Sequence, residues 1–179
     1  MDNQQGQPIS EIKIIRSPKR KKTVSARLNK GVLAVYAPSG ISDKELQPII
    51  ARFKERLIKK KLKRDLEREQ NLKEIAEKLN RKYFSGRLQI TAIDYSTNQN
   101  SRFGCCNLKT GKILISHRLA AMPDWVRDYV IVHELAHLIV PNHSKSFHDL
   151  TAKYRWEERA IGYLMAKGYE EEDTDINDL

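Results

Sequence analysis

Four of the five histidines in this chain, His133, His137, His143 and His148, stand close together in one stretch. Two of them bracket a glutamate in His133-Glu134-Leu135-Ala136-His137, the H-E-x-x-H spacing. On an α-helix, at about 100° per residue, His133 and His137 lie about 40° apart around the axis and one turn apart along it. Two imidazoles so placed can grip one metal ion. Glu134, within about 100° of His133 on the same side, can reach a water held by that ion. Zinc lowers the pKa of such a water from about 15.7 to about 7. Glu134 is then the natural general base: it takes the water's proton as a carbonyl is attacked and returns it to the leaving amine. The chemistry expected is hydrolysis by a zinc-activated water.

A catalytic zinc takes three protein ligands and leaves one position open. The third must come from outside the pair. Pro141 would clash with the carbonyl of His137, so the helix should end near Val140. The turn-like Pro141-Asn142 can then swing the chain back, with Ser144 capping a second helix and His143 presented to the ion. His148 is the rival, and Glu157 and Glu158 on a later helix are weaker ones. Spacing puts His143 ahead without excluding the others.

The stretch from His133 to Phe147 resembles the SprT-like metallopeptidases, most closely their YgjP-like branch. The resemblance rests on H-E-L-x-H followed by a short turn and Asn142-His143-Ser144-Lys145-Ser146-Phe147. It extends upstream through Pro123 and Asp128-Tyr129-Val130-Ile131-Val132, and more weakly to Arg16-Ser17, Val35 to Ser42 and Tyr83 to Leu88. It implies peptide-bond hydrolysis, with His133, His137 and His143 as zinc ligands and Glu134 as catalytic acid/base. Two departures stand beside the site. Phe103-Gly104-Cys105-Cys106 replaces the family's Trp-Gly-Ser-Cys, and His148 replaces a tryptophan.

The elements that must position these residues follow from pattern. The metal helix starts at Met122-Pro123-Asp124 and is apolar on most sides (Val126, Val130, Ile131, Val132, Leu135, Ala136), which suits a buried helix. Buried histidines and a buried carboxylate need partners, and a metal supplies them. Further elements are a polar turn at Asp94–Asn100 between a strand at Leu88–Ile93 and a hairpin of Arg102–Leu108 with Lys112–Ser116 across Lys109-Thr110-Gly111. One of the strands near Phe103–Asn107 or Ile113–Ser116 is expected to bind an extended substrate by edge pairing. His148, Tyr129 and Tyr154 are candidate donors to the oxyanion. His117 reads as a surface or capping residue, and Cys105 and Cys106 as ordinary strand positions, with a metal or redox role the lesser alternative.

The N-terminal half alternates at Glu11–Arg16, Thr23–Leu28 and Val32–Ala37, with a turn at Asn29-Lys30-Gly31, and implies a small antiparallel sheet. Helical spacing follows, from a capping box at Ser42 and Glu45 or from Pro48. It runs to Tyr83 as one helix or as two bent near Gln70-Asn71. The fold class expected is α+β: a small N-terminal antiparallel sheet and long helix, then a zincin-like metallopeptidase domain. The divisions are a disordered start at 1–10, a basic region at 11–64, the peptidase at 65–168 and an acidic disordered tail at 169–179.

With 40% hydrophobic residues, the 179-residue chain has enough apolar surface for a core. No stretch reaches the roughly 18 apolar residues of a membrane span, and MDNQQGQPIS lacks the features of a signal peptide, so a cytoplasmic location is expected. Two adjacent cysteines cannot staple distant segments. The net charge of +10 is concentrated in residues 1–87, with 23 Lys and Arg against 10 Asp and Glu. The lysine-rich run near residues 54–64 is a possible nucleic-acid contact, against the plainer reading of a solvated helix face. The alternative function is accordingly a nucleic-acid-associated binding protein with a structural or inactive zinc site. An intact Glu134 speaks for the enzyme, because a structural site has no need of it.

Overall fold

The computed structural model describes residues 9–168. The expected disorder of residues 1–8 and of the acidic tail from 169 lies outside them. Ile9 and Ser10 differ from expectation. Ile9 packs on the small N-terminal core, and Ser10 bonds to the carbonyl of Gly31 through both its backbone N–H (2.8 Å) and its hydroxyl (3.1 Å). The chain divides into two compact units, one ending at Leu62 and the other beginning at Lys63. No described helix is long and apolar enough to cross a membrane.

In the first unit, β2 (Ser25–Asn29) and β3 (Val32–Pro38) form an antiparallel hairpin. Lys30 and Gly31 make the turn with φ values of 46° and 83°, the positive-φ pair that a two-residue hairpin needs. β1 (Glu11–Ser17) corrects the all-antiparallel expectation: it pairs in parallel with β3, giving the order β1-β3-β2. Alternation fixes which face each strand buries, not its direction. The central place goes to β3, the most apolar strand, where Leu33, Val35 and Ala37 are fully buried. The link from β1 to β2 therefore passes across the end of β3 instead of closing a direct hairpin.

Helix α1 (Asp43–Glu69) begins at the capping box rather than at Pro48. The Glu45 carboxylate accepts from the Ser42 N–H (3.0 Å) and hydroxyl (2.6 Å), and the Glu45 N–H donates to that hydroxyl at 3.3 Å. Leu46 and Ile50 of α1 complete the small core with Leu33, Val35 and Ala37. The helical run breaks at Gln70-Asn71. Asn71 caps α2 (Leu72–Phe84), its side chain accepting from the Glu74 N–H, and Ser85 ends α2 in the left-handed conformation.

The second unit holds a sheet of order β4-β6-β5. β4 (Ala92–Ser96) runs parallel to β6 (Lys112–Ser116), and β5 (Gly104–Asn107) runs antiparallel to it. The strand expected at Leu88–Ile93 thus lies four residues further on, and Asp94–Ser96 is strand rather than turn. The reason is visible at Leu88. Buried Asn80 takes both of its backbone groups, donating to its carbonyl (2.9 Å) and accepting from its N–H (3.3 Å), so neither can enter a ladder. Ile93 and Tyr95 then supply the buried face of β4.

A 3-10 turn at His117–Ala121 leads to α3 (Asp124–His137), the central element, followed by α4 (Lys145–Thr151) and α5 (Glu157–Ala166). Val126, Ile131, Val132, Leu135 and Ala136 of α3 are all fully buried, among α2, β5, β6, α4 and α5. Burying a guanidinium requires partners. Arg127 of α3 has them in Asp124 (2.9 Å), Asp128 (2.8 Å) and the side-chain oxygen of Gln70 (3.1 Å), which also accepts from the Tyr95 hydroxyl.

Candidate metal centre

The apolar periodicity of α3 buries most of the helix and turns His133, Glu134 and His137 toward β5 and α4. The backbone of α3 closes with a tight turn in which the N–H groups of Ile139 and Val140 both bond to the Ala136 carbonyl at 2.9 Å. Pro141 follows, and the chain reverses. His143 thereby returns to the pair. Its Nε2 lies 3.2 Å from Nε2 of His133, and Nε2 of His137 also lies 3.2 Å from that atom. Two nitrogens bound tetrahedrally to zinc at 2.0–2.1 Å stand about 3.3–3.4 Å apart, so the spacing suits one ion held by three imidazoles. Among the described residues this is the one His/Cys/Asp/Glu group whose ligand atoms converge in this way.

Protonation of the rings also suits a cation. Nδ1 of His137 faces the carbonyl of Val140 at 3.2 Å. A carbonyl only accepts, so Nδ1 carries the proton and the Nε2 lone pair points into the cluster. Burial, together with the neighbouring imidazoles, pushes His133 down to about 3. Burial likewise pushes His137 down to about 4, against the opposing bond to Val140. Both rings are neutral at neutral pH, the form that binds metal.

Phe147, in the first turn of α4 and almost fully buried, packs against all three rings, with centroids 4.8, 4.5 and 4.7 Å from those of His133, His137 and His143. Ser144 occupies the N-cap position of α4, as expected, but makes no side-chain cap bond there. His148 is exposed, one residue beyond Phe147, and outside the cluster. Glu157 and Glu158 on α5 are outside it too. Of the other donors considered, Tyr154 already gives its hydroxyl proton to the carbonyl of Trp125 at 2.8 Å, and Tyr129 packs its ring 6.1 Å from that of His133. His117 places Nδ1 3.2 Å from the carbonyl of Ser96.

Glu134 is only 5% exposed. Burial raises its carboxyl to about 8, with the charge of Arg102 pulling the other way. It owes its place to Gly104. A Cβ built on Gly104 would come within 2.2 Å of the Glu134 Oε1, 2.7 Å of Cδ and 2.8 Å of Cγ. The missing side chain lets β5 lie directly against the carboxylate. A lone glycine inside a strand is the sequence mark of such a close approach, and it was open to reading in Phe103-Gly104-Cys105. Phe147 is marked only as the last residue of the motif that carries the resemblance, and its packing on three histidines has no sign in local spacing. Further along β5, burial and then the charge of Glu134 push the Cys106 thiol up to about 12, and Cys105 moves the same way. Both are protonated thiols at neutral pH and outside the convergent group. Of the two strands considered for edge pairing, β6 has both edges occupied, whereas among the described residues no strand pairs with the outer edge of β5.

The description of the matching family, "YgjP-like, metallopeptidase domain", covers residues 64–160, more than half of the chain. The chain belongs to the YgjP-like family. The matched segment contains the three converging histidines, Glu134, Gly104 and all of the second sheet. The second unit is therefore a metallopeptidase domain: it implies a metal and a protein or peptide substrate. Among solved structures the chain is similar to the metallopeptidase zymogen of Pyrococcus abyssi abylysin, at 23% identity and a TM-score of 0.45 over 53% of this chain and 92% of that one. No curated protein matches the chain.

Proposed function

We propose that residues 65–168 form a zinc-dependent peptidase in which His133, His137 and His143 hold the ion and Glu134 is the general base. The observation that carries this reading is the convergence of three Nε2 atoms beside a buried carboxylate from the same helix. A zinc held there would acidify a water molecule and polarise the scissile carbonyl.

The chain's own residues supply the rest. The carbonyl of Val140 keeps His137 in the tautomer that offers Nε2. Phe147 closes one side of the three rings and restrains their orientation. Glu134, on the same helix as His133 and His137, takes the proton from the attacking water and returns it to the departing amine. An extended peptide adding along the outer edge of β5 passes Gly104, and so runs beside the Glu134 carboxylate.

Glu134→Gln tests the assignment, because an amide of the same size cannot accept a proton. The variant should keep about one zinc per chain by elemental analysis. It should lose about a hundredfold or more of the hydrolysis of an unfolded protein substrate, the range expected for a general base. Parent-like hydrolysis would remove Glu134 from the chemistry. Absence of tightly bound zinc in the parent after zinc is supplied would remove the metal.

A further inference from the structure

The first unit lies outside the residues matched to the peptidase family, and it carries an unusual combination of charge and shape. Between residues 9 and 62 there are fifteen Lys and Arg against four Asp and Glu. Among the described residues of that segment, only Arg16 (with Asp43) and Lys59 (with Glu55) form ion pairs. Such an excess calls for a polyanion, and the sheet indicates where one would lie.

The sheet has two unlike faces. Leu33, Val35 and Ala37 point to α1 and are fully buried with Leu46 and Ile50. By alternation, Val32, Ala34 and Tyr36 point the other way, and all three are partly exposed. The register sets their neighbours in rows across the three strands: Glu11-Val32-Asn29, Lys13-Ala34-Arg27 and Ile15-Tyr36-Ser25. The middle row has an exposed cation on each side of a small residue. At about 4.8 Å per strand, their Cα atoms stand about 10 Å apart, leaving a trough over Ala34. The next row presents the Tyr36 ring, with the Arg20 guanidinium over it at 5.5 Å from the centroid.

We propose that this open face of the β1-β3-β2 sheet binds single-stranded nucleic acid, with a base taking the place of the Arg20 guanidinium over the Tyr36 ring and the backbone phosphates drawn to Lys13, Arg27 and the displaced Arg20. An aromatic platform flanked by cations on a sheet is what a single strand uses, because every base has a π-face and every phosphate a charge. The lysine run of α1 offers charge without this platform: Lys59 is paired with Glu55 at 2.8 Å, and Lys60 and Lys61 stand on a solvated helix. A duplex hides its bases from such a surface.

The test is fluorescence anisotropy of the full chain with a labelled fifteen-nucleotide thymidine oligomer at low and moderate salt. The oligomer should bind at low salt and weaken as salt rises. Tyr36→Ala should weaken binding by about fivefold to 150-fold, the span of base–aromatic stacking, while Tyr36→Phe keeps it. Lys13→Ala and Arg27→Ala, which alter only exposed side chains, should each weaken it and lower the salt slope by about one. Lys60→Ala should do less than Tyr36→Ala. Heparin binding should be insensitive to Tyr36→Ala. The proposal fails if the oligomer does not bind at low salt, if Lys13→Ala and Arg27→Ala both bind like the parent, or if folded Tyr36→Ala does. It fails equally if a duplex of the same length binds as tightly as the single strand, or if Tyr36→Ala costs heparin as much as the oligomer, since either would leave a bare polyanion surface.

Discussion

Replacing Gly104 with alanine adds one methyl group to β5 and strikes the Glu134 carboxylate. The new Cβ would stand 2.2 Å from Oε1, 2.7 Å from Cδ and 2.8 Å from Cγ, about 1 Å inside ordinary contact for each. Glu134 is only 5% exposed, so its carboxylate cannot move without displacing neighbours or entering the metal cluster. Either the carboxylate swings off its position or β5 separates from α3. Overpacking of this kind costs about 1–3 kcal/mol. A displacement near 1 Å of a catalytic group costs about a hundredfold in rate. The expected variant is therefore folded, destabilised by about 1–3 kcal/mol in urea, loaded with metal through the untouched histidines, and about a hundredfold slower in kcat with KM little changed. A double-mutant cycle isolates the contact. Glu134→Ala removes Oε1, Cδ and Cγ together, so in that background Gly104→Ala should cost almost nothing, leaving a coupling of about 1–3 kcal/mol. Equal destabilisation in both backgrounds, or a Gly104→Ala enzyme with parent-like kcat and stability, would refute the close approach as the reason for the glycine.

His143→Ala should strip zinc affinity, whereas His148→Ala should leave the metal in place and alter turnover at most; elemental analysis of the two purified variants decides this. The metal-free protein should show opposed pH dependences. Glu134, raised from 4.5 to about 8 in the fold, contributes stability that is complete below 4.5 and lost as pH rises toward 8. His133 and His137, lowered from 6.5 to about 3 and about 4, contribute stability that is complete above 6.5 and lost as pH falls through their folded values. Metal-free Glu134→Gln should therefore lose the decline between pH 5 and 8, on the order of 4 kcal/mol, and keep the acid limb, as read by urea titrations across that range. Tyr154→Phe removes the bond to the Trp125 carbonyl and should cost about 1 kcal/mol of stability, with kcat unchanged if the phenol has no part in oxyanion binding.

Much of this protein is legible in local pattern. The apolar periodicity of α3, the one-turn spacing of His133 and His137, the capping box of Ser42 and Glu45 and the break at Asn71 involve residues a few positions apart, whose relation a single helix settles. Pro141 announces the end of the metal helix because its ring acts on a carbonyl four residues back. The partners of these elements were not written locally. Whether His143 or His148 meets the pair depends on the path of a turn after that helix. β1 runs parallel to β3 because the most apolar strand takes the centre of the sheet, a competition among three strands that alternation within any one of them cannot register. The strand expected at Leu88 moved to Ala92 because Asn80, on a different helix, claims the backbone of Leu88. Gly104 meets Glu134 across thirty positions of sequence, and only the packing of β5 on α3 decides that a hydrogen there, and nothing larger, leaves room for the carboxylate.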